Sequence, residues 1–277
     1  MSFRSIGITG STGVLGSYIQ KNFKNIKFDC FRGDITNKKD IQKWLKGKKF
    51  EALFHFAAVV PTTKVLNNYD KSKKVNYFGT KLLIDEVQKN KTTKWFLFAS
   101  TSHVYKFSQK KITENSILKP ISKYGLTKLM AEKYLLRKKE KVNICILRIF
   151  SYTNFNQNIN FFIPAIYKKF LINNSISLEN INHIRDFIDI RDIYSAIKIL
   201  HAKKSKGIYN LGSGIPIPLI KIIEYLANLF KKKYVINKEN KLTMHVADLK
   251  KMIRLGWKPK KNILQILNAY HLNFNKK

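Results

Sequence analysis

The decapeptide Gly7-Ile8-Thr9-Gly10-Ser11-Thr12-Gly13-Val14-Leu15-Gly16 decides the fold. It closes an apolar strand-like run, Phe3–Thr9, and opens an amphipathic stretch, Val14–Phe23, so it reads as a turn from a first strand into a first helix. Its glycines at 10, 13 and 16 match TGxxGxxG rather than GxGxxG. Gly10 permits a tight turn, Gly13 lets backbone approach a pyrophosphate, and Gly16 lets helix and sheet pack closely. The helix N-terminus adds unsatisfied N–H groups and a dipole that favours phosphate charge. Thr12, Val14 and Leu15 complete the candidate phosphate-binding residues. A glycine triplet also fits an ordinary strand-to-helix turn; its place at the first βα junction favours a dinucleotide.

Outward from this loop, short apolar strands alternate with amphipathic helices, the pattern of a parallel sheet covered on both faces. Further strands are expected at Ile26–Phe31, Ala52–Phe56, Lys94–Ser100 and Val142–Ile149. Helices are expected at Lys38–Leu45, with Thr36 or Asn37 as N-cap, and at Tyr69–Lys89 and Ser122–Arg137. Beyond about residue 150 the rhythm loosens. Ser151–Asn160, rich in Asn and aromatics, reads as a loop lining a cleft. A helix at Phe161–Leu171 and a strand near Ile176–Leu178 begin a smaller lobe, and Phe187–Leu200 with Gly207–Leu211 return to the main sheet. The expected division is a nucleotide-binding domain over 1–152, completed by about 185–214, with 153–184 and 215–277 forming the interwoven substrate lobe.

Composition sets the class. The 277 residues are 44% hydrophobic, enough for a sizeable core and against disorder. Cys30 and Cys145 sit in apolar runs and read as reduced core thiols, without a disulfide framework. The start leaves no room for a secretory signal, and no apolar run reaches the roughly 20 residues needed to span a bilayer. A soluble, cytoplasmic protein without membrane partners is the expectation. The net charge of +36 comes from 53 basic residues, seven of them arginine, spread along the whole chain. Without a concentrated basic stripe or a recognition element, specific nucleic-acid binding is not expected. The positive field attracts anions such as nucleotide phosphates.

Tyr124-Gly125-Leu126-Thr127-Lys128 has YxxxK spacing on an expected helix, which puts both side chains on one face. A lysine cation nearby stabilises phenolate and is expected to lower the tyrosine pKa from its usual value near 10. The tyrosine then exchanges a proton while hydride moves to or from a cofactor. The spacing alone is also that of an exposed helix with an aromatic–lysine contact. Its order in the chain gives it weight: glycine loop, then the Ser/Thr cluster Ser100-Thr101-Ser102, then YxxxK.

With Phe98-Ala99-Ser100-Thr101-Ser102-His103-Val104-Tyr105 included, the sequence resembles the extended short-chain dehydrogenase/reductase family, in its sugar-nucleotide epimerase, dehydratase and reductase branch. The collinear pieces His55–Ala58, Val75–Thr80, Arg148–Ser151, Arg185–Asp192, Tyr209–Gly214 and Leu255–Pro259 extend the resemblance over almost the whole chain. It implies a Rossmann-type α/β fold, a doubly wound parallel sheet with a smaller interwoven C-terminal substrate lobe. It also implies NAD or NADP as cofactor and a sugar nucleotide as substrate. Dimers through paired helices are common in the family, but the pattern here offers no interface, so a homodimer stays open. No metal site is expected.

The resemblance places the catalytic hydroxyl at Thr101, beside Tyr124, with Ser100 as the neighbouring alternative. Lys128 also holds ribose hydroxyls. Ala57 and Ala58 border the cofactor phosphates, and Asn76, counted with the cofactor site, orders its backbone. Ser102, His103 and Arg185 face substrate; Arg185 contacts the diphosphate, or else pairs internally with Asp189 or Asp192. At the adenosine end, Asp29 lies inside the second strand, whereas Arg32 falls near its exit and suits a 2′-phosphate. Arg32 is equally readable as a solvated charge, and Asp34-Ile35 as an adenine contact or a turn. The reading leans to NADP(H), with NAD(H) open.

Dehydratases of this family carry an acid directly after the catalytic Thr; this chain has Ser102 and His103 there. A neutral Ser cannot supply that carboxylate, so dehydration is disfavoured. His103 could shuttle a proton or simply bond locally. A 4-ketoreductase of an NDP-4-keto-6-deoxyhexose, in surface-polysaccharide precursor synthesis, is favoured over a 4-epimerase with retained NAD. A non-catalytic dinucleotide-binding regulator is the remaining class, disfavoured because Tyr124 and Lys128 are both present. Lys106, where the family has glycine, is a departure that affects the nearby loop.

Overall fold

The computed structural model describes residues 5–60, 68–139, 141–154, 156–238 and 240–274. Successive side chains on a strand point to opposite faces, and the central strands are apolar on both. In β3 (Ala52–His55), Leu53 and Phe54 enter two different buried clusters. Phe96 and Phe98 oppose Leu97 in β4 (Trp95–Thr101), as Ile144 and Ile146 oppose Cys145 and Leu147 in β5 (Asn143–Ile149). Such strands need helices on both sides. With β1 (Ser5–Thr9), β2 (Lys27–Cys30) and β10 (Gly207–Leu211) they form a six-stranded sheet of order β10-β5-β4-β3-β1-β2. Every adjacent pair in it is parallel.

Helices α1 (Val14–Asn22) and α7 (Ile190–Ala202) cover one face through Leu15, Ile19, Ile193 and Ile197. The other face is covered by α2 (Lys38–Leu45), α4 (Thr80–Lys89) and α5 (Lys123–Leu136) through Ile41, Leu83, Val87 and Leu135. Asn37 is the N-cap of α2, accepting from the Lys39 N–H. Phe3 and Arg4 of the expected first strand lie outside the described residues.

Two expectations change. The continuous helix over Tyr69–Lys89 is instead α3 (Tyr69–Lys73), a π-helical turn (Lys74–Gly79) and α4. That wider turn carries Asn76, which is hydrogen-bonded to backbone outside the helix, and π-turns recur where a side chain is re-aimed. Within Ser151–Asn160, the first three residues form a strand, β6 (Ser151–Thr153), paired in parallel with β9 (Phe187–Asp189). Its partner is distant in sequence, so no local pattern reveals it.

A second body holds its own apolar cluster, including Ile166, Phe170, Leu178, Ile223 and Leu267. It contains α6 (Phe162–Ile172), β7 (Ser175–Glu179), β8 (His183–Arg185), β11 (Ile217–Pro218), α8 (Leu219–Phe230), β12 (Lys233–Lys238), β13 (Thr243–His245) and α10 (Ile263–Phe274), whereas α9 (Lys250–Arg254), expected in the same lobe, packs on the main-sheet core through Met252. Its small sheets are β11-β8-β13 and β12-β7. The segment after β4 hydrogen-bonds to it, Ser108 N–H to Met244 O at 3.3 Å and Ile112 N–H to Val246 O at 2.7 Å. This body therefore stands at the carboxyl ends of the sheet strands, where open α/β sheets bind ligands. Among the described residues, no helix is long and apolar enough to cross a membrane.

Candidate active site

Close backbone approach shapes the glycine loop. Gly10 has φ +71°, and a Cβ there would stand 2.5 Å from Ala57 N. A Cβ on Gly16 would stand 2.1 Å from Gly10 O, whereas one on Gly13 would meet only Gly10 O, at 3.4 Å. Gly13 is the N-cap of α1 and offers no side-chain cap to the first-turn N–H groups. An open backbone face with uncapped N–H groups fits a dinucleotide diphosphate. Thr12 is exposed beside that face, while Val14 is half-buried and Leu15 buried, both packed into the same core cluster. Behind the loop, Thr9 Oγ1 meets His55 Nδ1 at 2.6 Å, and His55 Nε2 meets Thr80 Oγ1 at 2.8 Å. Ala57 N–H reaches Thr9 Oγ1 at 3.3 Å, which holds the Ala57-Ala58 segment against the loop. Asn76 clamps the next residues, accepting from Val59 N–H at 2.8 Å and donating to Val59 O at 3.0 Å.

At the exit of β2, Asp29 is engaged by Trp44 Nε1 and Lys48 Nζ, both at 2.7 Å, so its carboxylate is tied to α2. Arg32 is exposed. Asp34 accepts from Thr36 N–H and Oγ1, both at 2.8 Å, and these bonds hold its carboxyl below the usual range. Ile35 is buried against Gly79. The turn reading of Asp34 is therefore built, and Arg32 is exposed with no ion pair to another side chain among the described residues.

The end of β4 separates the two hydroxyl candidates. Ser100 donates to Glu132 Oε1, beneath the site. Thr101 points the other way and accepts from His103 N–H at 3.2 Å. Ser122 caps α5, accepting from Gly125 N–H at 3.0 Å and meeting His103 Nδ1 at 3.1 Å. A Cβ on Gly125 would lie 2.2 Å from His103 O, so this glycine lets α5 press onto the strand end. Tyr124 consequently faces the His103 ring edge-on, 6.1 Å between centroids. One turn further, Lys128 is 1% exposed and its ammonium stands 3.9 Å from the centre of the Phe98 ring.

The electrostatics differ from the expectation of a phenol acidified by lysine. Burial, reinforced by Tyr152, pushes Tyr124 well above its ordinary value. Burial also pulls Lys128 down to about 7, partly opposed by Glu132. Desolvation is the largest cause at both groups, and the side chain that acts on Tyr124 is Tyr152 rather than Lys128. His103 falls to about 4 through burial and then Arg185, so it is neutral at pH 7.

Arg185 pairs with neither Asp189 nor Asp192. Asp189 is held by Arg191, at 2.8 Å from Nε and 2.6 Å from a terminal nitrogen, and Asp192 accepts from the N–H groups of Lys260 and Lys261. Arg185 instead donates to Ile184 O, Thr243 O and Thr243 Oγ1, each at 2.9 Å, and covers the Phe107 ring at 5.1 Å. Burial lowers it to about 10, so it remains charged. Lys106 is exposed, with an ordinary negative φ and its N–H on Ile117 O at 3.1 Å, so the loop needs no glycine there.

Two neighbours carried no motif in the sequence. His245 sits opposite Arg185 in the β13–β8 register, its Nε2 3.0 Å from Ser102 O. Tyr152, the middle residue of β6, acts on Tyr124. The chain's many tyrosines masked the second, and only β13 pairing reveals the first. Among the described residues, no group of three or more His, Cys, Asp or Glu could hold a metal ion.

Comparison with known proteins fits this geometry. The chain is 27% identical over 261 residues to a GDP-6-deoxy-D-talose 4-dehydrogenase of Aggregatibacter actinomycetemcomitans, covering 89% of this chain and 86% of that one. It is 25% identical to a UDP-glucose 4-epimerase of Mycoplasma genitalium, covering 77% and 71% of the two chains. The structure of RMD from Pseudomonas aeruginosa complexed with NADPH superposes with a TM-score of 0.90, at 21% identity and covering 99% of each chain. The family model for the NAD dependent epimerase/dehydratase family matches residues 6–212. The chain belongs to that family.

Proposed function

We propose that the protein is an NAD(P)-dependent sugar-nucleotide oxidoreductase, a 4-ketoreductase of an NDP-4-keto-6-deoxyhexose serving surface-polysaccharide precursor synthesis. The observation that supports this reading is that Thr101 ends β4, Tyr124 stands edge-on to the His103 ring just beyond it, and Lys128 lies over the Phe98 ring of the same strand, with Ser102 where dehydration would need a carboxylate. A bound nicotinamide dinucleotide supplies the hydride. The loop residues Gly10, Thr12, Gly13, Val14, Leu15 and Gly16, with Ala57 and Ala58, hold its diphosphate. Leu15 contributes through its backbone alone.

Thr101 hydrogen-bonds the sugar carbonyl oxygen and presents it to Tyr124. As that carbon accepts hydride, Tyr124 donates its proton and an alcohol results. The high pKa that burial gives Tyr124 keeps it a donor before the step. Lys128 holds ribose hydroxyls, and its charge stabilises the phenolate left behind. Arg185, charged and without a carboxylate partner among the described residues, takes the substrate diphosphate. Ser102 and His103 line the sugar side. Arg32, exposed at the adenosine end, supports NADP(H) over NAD(H).

A 4-epimerase is the second reading, favoured by the likeness to the Mycoplasma genitalium enzyme. The test is NADH and NADPH oxidation with dTDP-, GDP- and UDP-linked 4-keto sugars. Reduction of one of them is expected, faster with NADPH. No turnover of keto sugars, together with interconversion of unmodified UDP-hexoses, would replace the reductase by the epimerase.

A further inference from the structure

Beneath the strand end lies a polar network that the proposed chemistry leaves unused. Glu132 and Arg148 are 0% and 1% exposed. Arg148 grips the carboxylate with Nε, at 3.2 and 3.1 Å from its two oxygens, and with a terminal nitrogen at 2.7 Å. The other terminal nitrogen donates to Tyr105 Oη at 2.7 Å and to Glu114 O at 3.1 Å, and Tyr105 donates onward to Asn210 Oδ1 at 2.7 Å. A buried ion pair is commonly no more stabilising than well-packed apolar residues of similar volume, so stability alone does not account for one here.

Both ends of the Glu132 carboxylate environment reach the site. Ser100, which donates to it, immediately precedes Thr101. Lys128 lies four residues earlier on α5, on the same helical face. The groups facing Lys128 are the Phe98 ring from β4, the imidazole of His55 from β3 and Glu132 from its own helix. His55 is neutral, pushed to about 3 by burial and then by Lys128. Glu132, its carboxylate shared with the Arg148 guanidinium, is thus the anion acting on Lys128 among the described residues.

Taking Tyr124, Lys128 and Thr101 as the reacting groups, we propose that Glu132 is a positioning residue for the reaction: it pins Ser100, and so the Thr101 end of β4, and places a carboxylate one helical turn from Lys128. It acts through these two neighbours and touches neither substrate nor cofactor. Its charge opposes the desolvation of Lys128, which burial lowers to about 7.

The direct test replaces the pair together, as Glu132→Gln/Arg148→Met, so that no lone guanidinium is left buried. NADPH binding is read by fluorescence from about pH 5.5 to 9, alongside thermal melting. In the unsubstituted protein, affinity falls as pH rises and Lys128 loses its proton. In the double variant the midpoint of that fall moves to lower pH. A folded double variant with an unmoved midpoint overturns the proposal. Glu132→Asp is the second variant: it keeps the charge and the midpoint but loses reach to Ser100, so turnover falls about tenfold. A shifted midpoint or unchanged turnover in Glu132→Asp contradicts the proposal equally. The binding midpoint decides the role of Glu132 whether or not a keto sugar is turned over, so its failure is distinguishable from failure of the reductase reading.

Discussion

Around the end of β4, burial moves Tyr124, Lys128, His103 and His245 away from their charged forms. His55, His103 and His245 fall to about 3, 4 and 3 from an ordinary 6.5. Below pH 6.5 the unfolded chain binds protons on these imidazoles that the folded chain refuses. Their contribution to stability is therefore full above about 6.5 and is lost as pH falls toward 4 and below, at about 1.4 kcal/mol per pH unit for each group. His245→Phe keeps a ring between Phe107 and Phe150 and removes one titrating group. Urea unfolding between pH 6.5 and 4 should show a shallower loss of stability for this variant than for the wild type. Equal slopes would mean that His245 takes up its proton without resistance in the folded protein. At this same scale, Tyr124→Phe removes the proposed proton donor but little of the packing. It should lower kcat by about 10²–10⁴-fold while NADPH still binds; unchanged turnover would assign the proton to another group.

Element boundaries depend on a few close contacts. Gly125 lets α5 touch the turn after β4, and a Cβ there would lie 2.2 Å from His103 O. Gly125→Ala should cost about 1–3 kcal/mol by overpacking, read as a lowered melting temperature, and should reduce kcat because Tyr124 and Lys128 move with the helix. A variant of full stability and activity would show that the contact relaxes freely. The strands and most helices were legible because two-faced burial of β3, β4 and β5 is written locally in Leu53/Phe54, Phe96/Leu97 and Cys145/Ile146. The π-turn around Asn76 was not, since the partners of Asn76, the Val59 backbone and Thr127, are distant in sequence. Nor was β6, whose partner is Phe187–Asp189. The order of glycine loop, Ser/Thr strand and YxxxK marked the candidate site; His245, Tyr152 and the Glu132–Arg148 pair enter it only through tertiary packing.

At the scale of the whole molecule, the protein carries a net charge of +36. Its positive field should speed capture of an anionic substrate, and salt should screen it. Raising the salt from about 0.05 to 0.5 M should lower kcat/KM for the sugar nucleotide about tenfold with a smaller change in kcat. Salt-independent kcat/KM would confine the charge to a bystander role. The proposed reaction is reduction of a 4-keto sugar nucleotide. Its most direct test is NADPH oxidation by the purified protein with a panel of nucleotide-linked 4-keto-6-deoxyhexoses, alongside Tyr124→Phe. The expected result is stoichiometric conversion of at least one keto sugar to the 4-hydroxy sugar, lost in the variant. No oxidation with any member, or oxidation at equal rate in Tyr124→Phe, would contradict it.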